Sequence, residues 1–309
     1  MAAEAAFPPV ETLTLADGAK IAYRVFGKEQ QNIPLVLVNG LSSVMPDWGA
    51  LVVALAKTRP VLIFDHRGIG ESYLTPDEME DITIELMADD LLALLRHINF
   101  TKVHVLGFSM GGMISQALVC HPEAKTKRDH VDIGGIEVHA LVLAGTFCKS
   151  PKTSLSPKNM PNTEGLSHEE RNRAIVETVM RLQYDEGSVD GAMRPMFQRR
   201  VELALSTRRP MMIVVNQSAA INMYSSRERL AELGAQKALR ALIIHGRLDQ
   251  VVDYSESEEL ARLLPNATRH FPAACPDGRF GHMWFEYFDV ERDWVAPLVA
   301  WLDARDAHL

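Results

Sequence analysis

Cysteine, aromatic residues and excess positive charge are all scarce in this chain, and the shortages narrow what the protein can be. Three cysteines in 309 residues, Cys120, Cys148 and Cys275, match no metal-ligand spacing and cannot all pair with one another. They read as free thiols in a reducing compartment, not as a disulfide framework. Lysine and arginine number 32 against 40 aspartates and glutamates, a formal net charge of −8. That is the wrong sign for a phosphate-backbone binder, and no basic cluster stands apart from acidic neighbours, so nucleic acid is not an expected partner. No uninterrupted apolar run is long enough to span a bilayer, and residues 1–9 lack the basic start and apolar core of a secretory signal. A soluble, cytoplasmic protein with no membrane partner is expected. The histidines do not fall at the spacing of two ligands on one helix face beside a glutamate, and no Gly-x-Gly-x-x-Gly opens a helix after a strand. Neither a metal nor a dinucleotide cofactor is therefore expected, and the chemistry falls to amino-acid side chains.

What the chain has in quantity is apolar residues, 47% of the total, ample for a large core. Its length suggests two domains, or one large α/β domain carrying an insertion. Segments 11–15 and 20–26 flank Asp17-Gly18, which predicts an opening antiparallel hairpin. Apolar β-branched runs at 34–38 and 60–64 enclose a helical pattern at 48–57, a βαβ unit with parallel strands. An amphipathic helix is predicted over 80–98, with Ile84, Met87, Leu91, Leu94 and Leu95 on one face. A buried strand over 103–108 and a helix over 111–121 follow. Residues 123–137, charged and containing Gly134-Gly135, read as an extended surface loop before a strand at 138–144. Between Phe147 and Arg240 the strand–helix alternation stops, and helical patterns at 167–184, 191–206, 210–220 and 226–234 take over. The alternation resumes with a strand at 241–245, a helix at 256–264, a strand at 267–271 and a helix at 289–303. The expectation is a doubly wound, mostly parallel α/β core over 1–146 and 241–309, with a helical insertion over 147–240.

Chemistry is concentrated in Gly107-Phe108-Ser109-Met110-Gly111, where a predicted strand becomes a predicted helix. A turn this sharp forces the central residue into a strained backbone conformation and leaves no room for a side chain at Gly107 or Gly111. Ser109 then stands at a helix N-terminus, whose free N–H groups favour negative charge developing on a bound carbonyl oxygen. A serine hydroxyl needs an adjacent base, usually a histidine oriented by a carboxylate. His282 lies in a loop after the last predicted strand, and Asp249 just past the end of an earlier one. Asp253, four residues on, is a competing carboxylate, and His66 is the rival histidine. In an open parallel sheet, loops at the carboxyl ends of strands converge on one edge, so these distant residues can meet.

Asn39-Gly40 after the first parallel strand, Asp65-His66-Arg67-Gly68-Ile69-Gly70-Glu71-Ser72, the segment around Ser109, His245-Gly246-Arg247-Leu248-Asp249 and Gly281-His282 together resemble the α/β-hydrolase family, in its cap-bearing esterase and lactonase branch. The resemblance covers nearly the whole chain. It implies Ser109 as nucleophile, His282 as base and then acid, Asp249 as the orienting carboxylate, the backbone N–H groups of Leu41 and Met110 as an oxyanion hole, and the residues between Phe147 and Arg240 as a substrate-selecting cap. Asn39 stands where the family often has histidine, which bears on how that loop is tethered. Asp65 and Arg67 read as structural supports of the glycine-rich loop. The expected reaction is hydrolysis of a small, mainly apolar ester or lactone. Alternatives on the same fold are carbon–carbon bond hydrolysis, acyl transfer, cofactor-free haloperoxidase-like chemistry, or a ligand-binding receptor with slow turnover. Monomer and homodimer are both open. Seven methionines, Met160, Met180, Met193, Met196, Met211, Met212 and Met223, make the insertion methionine-rich, as either an adaptable apolar lining or ordinary helix packing.

Overall fold

A computed structural model describes residues 7–74, 82–151, 160–237 and 239–306. The chain opens with β1 (Glu11–Thr14) and β2 (Lys20–Phe26), paired antiparallel as the hairpin signal requires. The central sheet then alternates with helices. β3 (Leu35–Val38), α1 (Gly49–Leu55), β4 (Val61–Phe64), α2 (Ile84–His97), β5 (Lys102–Phe108) and α3 (Met110–Val119) follow one another. A 3-10 turn over Met45–Trp48, with Pro46 in its first turn, leads into α1. Thr83 caps α2, its hydroxyl accepting the Leu86 N–H at 3.0 Å, and the apolar face expected on that helix is the buried one. Residues 80 and 81, where the sequence pattern starts this helix, lie outside the described residues.

β3 pairs in parallel with β4 and with β5, and β2 closes antiparallel on β4. β3 and β4 are buried at every position and β5 at all but its first residue, Lys102. Both faces of the sheet are therefore covered, which is why these strands read as unbroken apolar runs instead of alternating ones. Each such side chain contributes roughly 1.5–3 kcal/mol when fully buried. One face packs on α2 and α3 and on residues further along the chain, and the other packs on α1 and the C-terminal segment.

The segment expected as a surface loop over 123–137 is instead a strand extension. β6 (Ala124–Thr126), β7 (Val131–Ile133) and β8 (Ile136–Ala144) form successive antiparallel pairs. Gly134 and Gly135, with φ of 57° and 92°, make the two-residue turn between β7 and β8. Such a turn needs positive φ at both central positions, so the pair marked a hairpin and not a loop. β8 then runs parallel between β5 and β9 (Arg240–Ile244), and β10 (Thr268–Arg269) completes that edge.

Between β8 and β9 stand α4 (His168–Arg181), α5 (Arg194–Ser206), α6 (Met211–Met223) and α7 (Arg227–Gln236), close to the four helical patterns read from the sequence. After β9 come α8 (Ser255–Leu263), a wider helical turn over Val290–Val295, and α9 (Ala296–Asp306). The strand expected over 267–271 shortens to two residues, and the helix expected over 289–303 is divided between that turn and α9. Cys120, Cys148 and Cys275 are buried free thiols. Among the described residues no helix is long and apolar enough to cross a membrane.

Candidate active site

Ser109 stands between the end of β5 and the start of α3 with φ 55° and ψ −124°. A non-glycine residue held in this region costs on the order of 1–3 kcal/mol, so the surroundings must fix it. They do so through the backbone. The Ser109 N–H donates to Ala144 O at 2.9 Å, and Ser109 O accepts from the Gly112 N–H at 2.9 Å and from Thr146 Oγ1 at 2.6 Å. A β-carbon at Gly107 would overlap the Gly111 carbonyl and Ser115 Oγ, and one at Gly111 would overlap the Val38 carbonyl. The turn is thus sealed by backbone on three sides. Its hydroxyl caps no N–H of α3 and stays available.

Asp249 and His282, 33 residues apart, meet at 2.6 Å between Oδ2 and Nδ1, and both side chains are almost wholly buried. The carboxylate is fully satisfied. Its Oδ1 accepts the Val251 and Val252 N–H groups at 2.8 and 2.9 Å, and His245 Nε2 lies 3.2 Å from Oδ2. Burial works to raise this carboxyl, but the His282 imidazole and the hydrogen bonds from His245 and His282 hold it well below the usual carboxylate range. The His282 ring lies 4.7 Å from that of Phe108, and a β-carbon at Gly145 would stand 3.2 Å from its Nδ1. These contacts put His282 over the residue before Ser109 and the residue after its backbone acceptor, Ala144. Among the described residues no hydrogen bond joins Ser109 Oγ to the imidazole; such bonds are commonly long before substrate binds. Asp253, the competing carboxylate, is exposed and accepts from the Ser255 N–H at 2.9 Å at the start of α8.

The loop after β3 approaches from the other side. A β-carbon at Gly40 would be 3.1 Å from Ser109 Cβ. Asn39 tethers this loop, its side-chain amide donating to Phe64 O at 2.9 Å and its own carbonyl meeting His66 Nε2 at 2.9 Å. His66 is thereby committed to a backbone contact. The Leu41 N–H has no hydrogen-bond partner among the described residues, and Met110 begins α3, where an N–H has no intrahelical acceptor. Asp65 takes the Met45 and Glu71 N–H groups at 2.6 and 2.8 Å, and Arg67 makes a two-point contact with Asp90 at 2.7 and 2.6 Å, the supporting roles their positions suggested.

Three further features were not read from the sequence. His245 is a second imidazole on Asp249. Arg200 of α5 is buried, with Nη1 at 2.8 Å from Asp47 and Nε at 2.6 Å from Glu286, while Arg209 reaches Asp47 at 3.1 Å. Burial opposes the charge on Arg200, but Glu286 and Asp47 keep it protonated. Gln217 of α6 is completely buried. Its Oε1 accepts the Ser42 N–H at 3.0 Å, and its Nε2 has no partner among the described residues. An arginine or glutamine inside a helical pattern carries no signal of such contacts; only the three-dimensional pairing exposes them.

The family described as alpha/beta hydrolase fold matches residues 33–282. Among curated proteins, proline iminopeptidase of Lactobacillus crispatus is 32% identical over 109 residues, covering 34% of this chain and 37% of that protein. The chain thus aligns with little more than a third of that relative. Among solved structures, an esterase from Exiguobacterium antarcticum superposes with a TM-score of 0.71 at 18% identity, covering 94% of this chain and 98% of that one. The enol-lactonase from Burkholderia xenovorans LB400 gives 0.69 at 18% identity, covering 95% and 97%. At such identities the two structures bear on the fold alone.

Proposed function

Since the chain belongs to the α/β-hydrolase fold family, we propose that it is a serine hydrolase acting on a small, mainly apolar ester or lactone. The observation that carries this reading is the buried 2.6 Å contact between Asp249 and His282, ending beside a strained Ser109 whose hydroxyl caps nothing. His282 takes the Ser109 proton as Oγ attacks the substrate carbonyl. The N–H groups of Leu41 and Met110 receive the developing oxyanion. His282 then returns the proton to the leaving alcohol, or to the ring oxygen of a lactone, giving an acyl-enzyme. Water, deprotonated by the same imidazole, releases the acid and restores Ser109. Asp249 holds the ring in the tautomer that leaves Nε2 free to accept.

Residues 147–240 act in this proposal as a cap. A β-carbon at Gly68 would press on Ile213 of α6; Gln217 holds the Ser42 N–H, and Arg209 donates to Ser42 O at 2.7 Å. These contacts lay α6 against the loop that carries Leu41, which favours a small apolar substrate over a polymer. Of the methionines, Met211, Met212 and Met223 are exposed, which fits neither interior helix packing nor an enclosed lining. A cytoplasmic setting suits three unpaired buried thiols.

The reading is tested by stopped-flow assay of short-chain and medium-chain aryl esters, lactones, a proline arylamide and a vinylogous diketone. A burst of alcohol release on an ester, and one organophosphonate label per chain on Ser109, are expected. Silence on every ester and lactone with turnover of the arylamide would make the protein a peptidase. Turnover of the diketone alone would make it a carbon–carbon hydrolase.

A further inference from the structure

The strand extension β6–β8 has no part in the chemistry proposed for Ser109, yet it gathers two imidazoles and a carboxylate. Val131 pairs with Val138 across the β7–β8 hairpin, so His130, one residue before, faces His139, and Glu137 lies two residues from His139 on the same strand. His139 Nε2 meets Glu137 Oε2 at 3.0 Å, and the His130 and His139 rings lie 5.0 Å apart at 35°. One ligating atom from each of the three residues lies within 4.8 Å of the others. We propose that His130, Glu137 and His139 form a binding site for a divalent transition metal of the zinc class.

The local fold builds this arrangement. β5 pairs Val103 with Val138 and His104 with Ala140, so His139 is the extra residue of a bulge. It also falls where the outer neighbour of β8 changes from β7, over residues 136–138, to β9, over 140–144. A bulge re-aims the side chain it carries, here bringing the ring to Glu137. His139 is 4% exposed and its Nδ1 has no hydrogen-bond partner among the described residues, so its polar contact is made at Nε2. Two donors about 2.0–2.2 Å from a tetrahedral zinc stand roughly 3.3–3.6 Å apart, so the 3.0 Å pair of His139 and Glu137 needs to open by only a few tenths of an ångström to admit the ion. Asp129 Oδ1 meets His130 Nδ1 at 2.9 Å, the carboxylate–imidazole contact that in metal sites orients the ring and presents Nε2.

Two imidazoles and one carboxylate suit zinc, cobalt or nickel, whereas calcium and magnesium take oxygen ligands. Three protein ligands leave a position for water. Lys102 Nζ lies 3.5 Å from Glu137 Oε2, but its side chain is half exposed and flexible, so a doubly charged ion can displace it. Lys102 pairs with Glu137, His139 falls opposite the 103/104 junction and Phe108 pairs with Ala144, so four to six ladder steps, about 13–20 Å, separate Glu137 and His139 from the end of β5 that leads to Ser109. A metal here would clamp β7 to β8 without touching a reacting substrate.

The test uses the full-length protein freed of any affinity tag and titrated with Zn²⁺ by calorimetry and with Co²⁺ by visible absorption. One equivalent is expected to bind, with cobalt bands of low-symmetry coordination and a raised unfolding midpoint. His130→Ala and Glu137→Gln, each checked for native circular dichroism, should abolish the tight equivalent. Asp129→Asn should weaken it by about 10–100-fold. His282→Ala should leave it intact, which separates this site from adventitious binding at the imidazole beside Ser109. Zinc affinity equal in the wild type and the His130→Ala, Glu137→Gln double variant would overturn the proposal, as would metal binding that disappears only in His282→Ala.

Discussion

The end of the sheet that carries Ser109 and the helices between β8 and β9 are held in place by opposite means. At the sheet end the constraint is backbone: Ser109 is fixed by main-chain hydrogen bonds to Ala144 and Gly112, and glycines at 107 and 111 admit no alternative. The helices combine a few buried apolar side chains, Val201 of α5, Ile213 and Ile221 of α6 and Leu230 and Leu233 of α7, with polar anchors. α4 buries none of its residues fully, and Met211, Met212 and Val215 of α6 face solvent. Beside that apolar contact, buried polar pairs tie them down, Arg200 to Asp47 and Glu286, and Gln217 to Ser42. Main-chain constraint fixes Ser109 closely, whereas side-chain anchors let the helices vary while their docking stays specific. Damage at the sheet end should therefore strike turnover, and damage at the anchors should strike stability and substrate binding.

The sharpest break comes from Ser109→Ala, expected to fold normally and to lose roughly 10⁵–10⁶ in kcat, the scale of removing a nucleophile in comparable hydrolases. Burst kinetics and phosphonate labelling check it; an alanine variant with near-normal turnover would detach the chemistry from the sheet end. Next is Asp249→Asn, which should cost about 10⁴ in kcat by favouring the wrong imidazole tautomer. Asp253→Asn, at an exposed residue beside α8, should change kcat by less than a few-fold. A reversal of these two in one assay would move the orienting role to Asp253.

The same contrast governs what the sequence could reveal. Gly107, Ser109 and Gly111 are neighbours in the chain, so their constraint is local and readable, and His282 and Asp249 follow from where strands end in a parallel sheet. Arg200 and Asp47 are separated by 153 residues, and neither helix periodicity nor composition hints that they meet. The β6–β8 extension failed differently. Its charged residues and double glycine outweighed the apolar alternation Val131, Ile133, Ile136, Val138, which carried the strand signal. His130, Glu137 and His139 escaped notice because a helix-face spacing does not find ligands that strand pairing assembles.

At the anchors, Arg200→Met leaves Glu286 buried without its cation and Asp47 with Arg209 alone, and should destabilise the protein by about 3–5 kcal/mol in urea unfolding. If the helical layer is only docked, KM should rise more than kcat falls. Equal losses in both would mean that the network also shapes the Ser109 site.

Below this in size lies a pH effect within the loop beneath α6. Burial raises Asp65 to about 6, against the N–H groups of Glu71 and Met45, and burial lowers His66 to about 4, against its contact with Asn39. Between pH 4 and 6 folded Asp65 holds a proton that the unfolded chain has lost, so its contribution grows as pH falls. Between pH 6.5 and 4 the unfolded chain protonates His66 while the folded protein does not, so that contribution shrinks as pH falls. Each is worth on the order of 3 kcal/mol, and the two nearly cancel. Relative to wild type, Asp65→Asn should therefore become acid-labile below pH 6.5, and His66→Gln should gain stability toward pH 4. Parallel stability–pH curves for all three proteins would reject the opposition.

The smallest expected effect joins the two regions directly. Gln217 belongs to the helical layer but holds the N–H of Ser42, the residue after Leu41, in a loop where Ser42 itself has φ of 63°. Gln217→Leu keeps the apolar bulk and removes the acceptor, leaving a donor unsatisfied at a cost of about 1–3 kcal/mol. If that bond positions the Leu41 N–H for an oxyanion, part of the cost appears only in the transition state, so kcat should fall roughly 10-fold with KM little changed. Gln217→Glu retains an oxygen for the Ser42 N–H and should restore most of kcat. It also removes the buried Nε2 donor, which has no partner among the described residues. A normal kcat with a raised KM in both variants would therefore transfer the role of Gln217 from positioning the loop to binding substrate through Nε2, and would make the helical layer a direct participant in recognition.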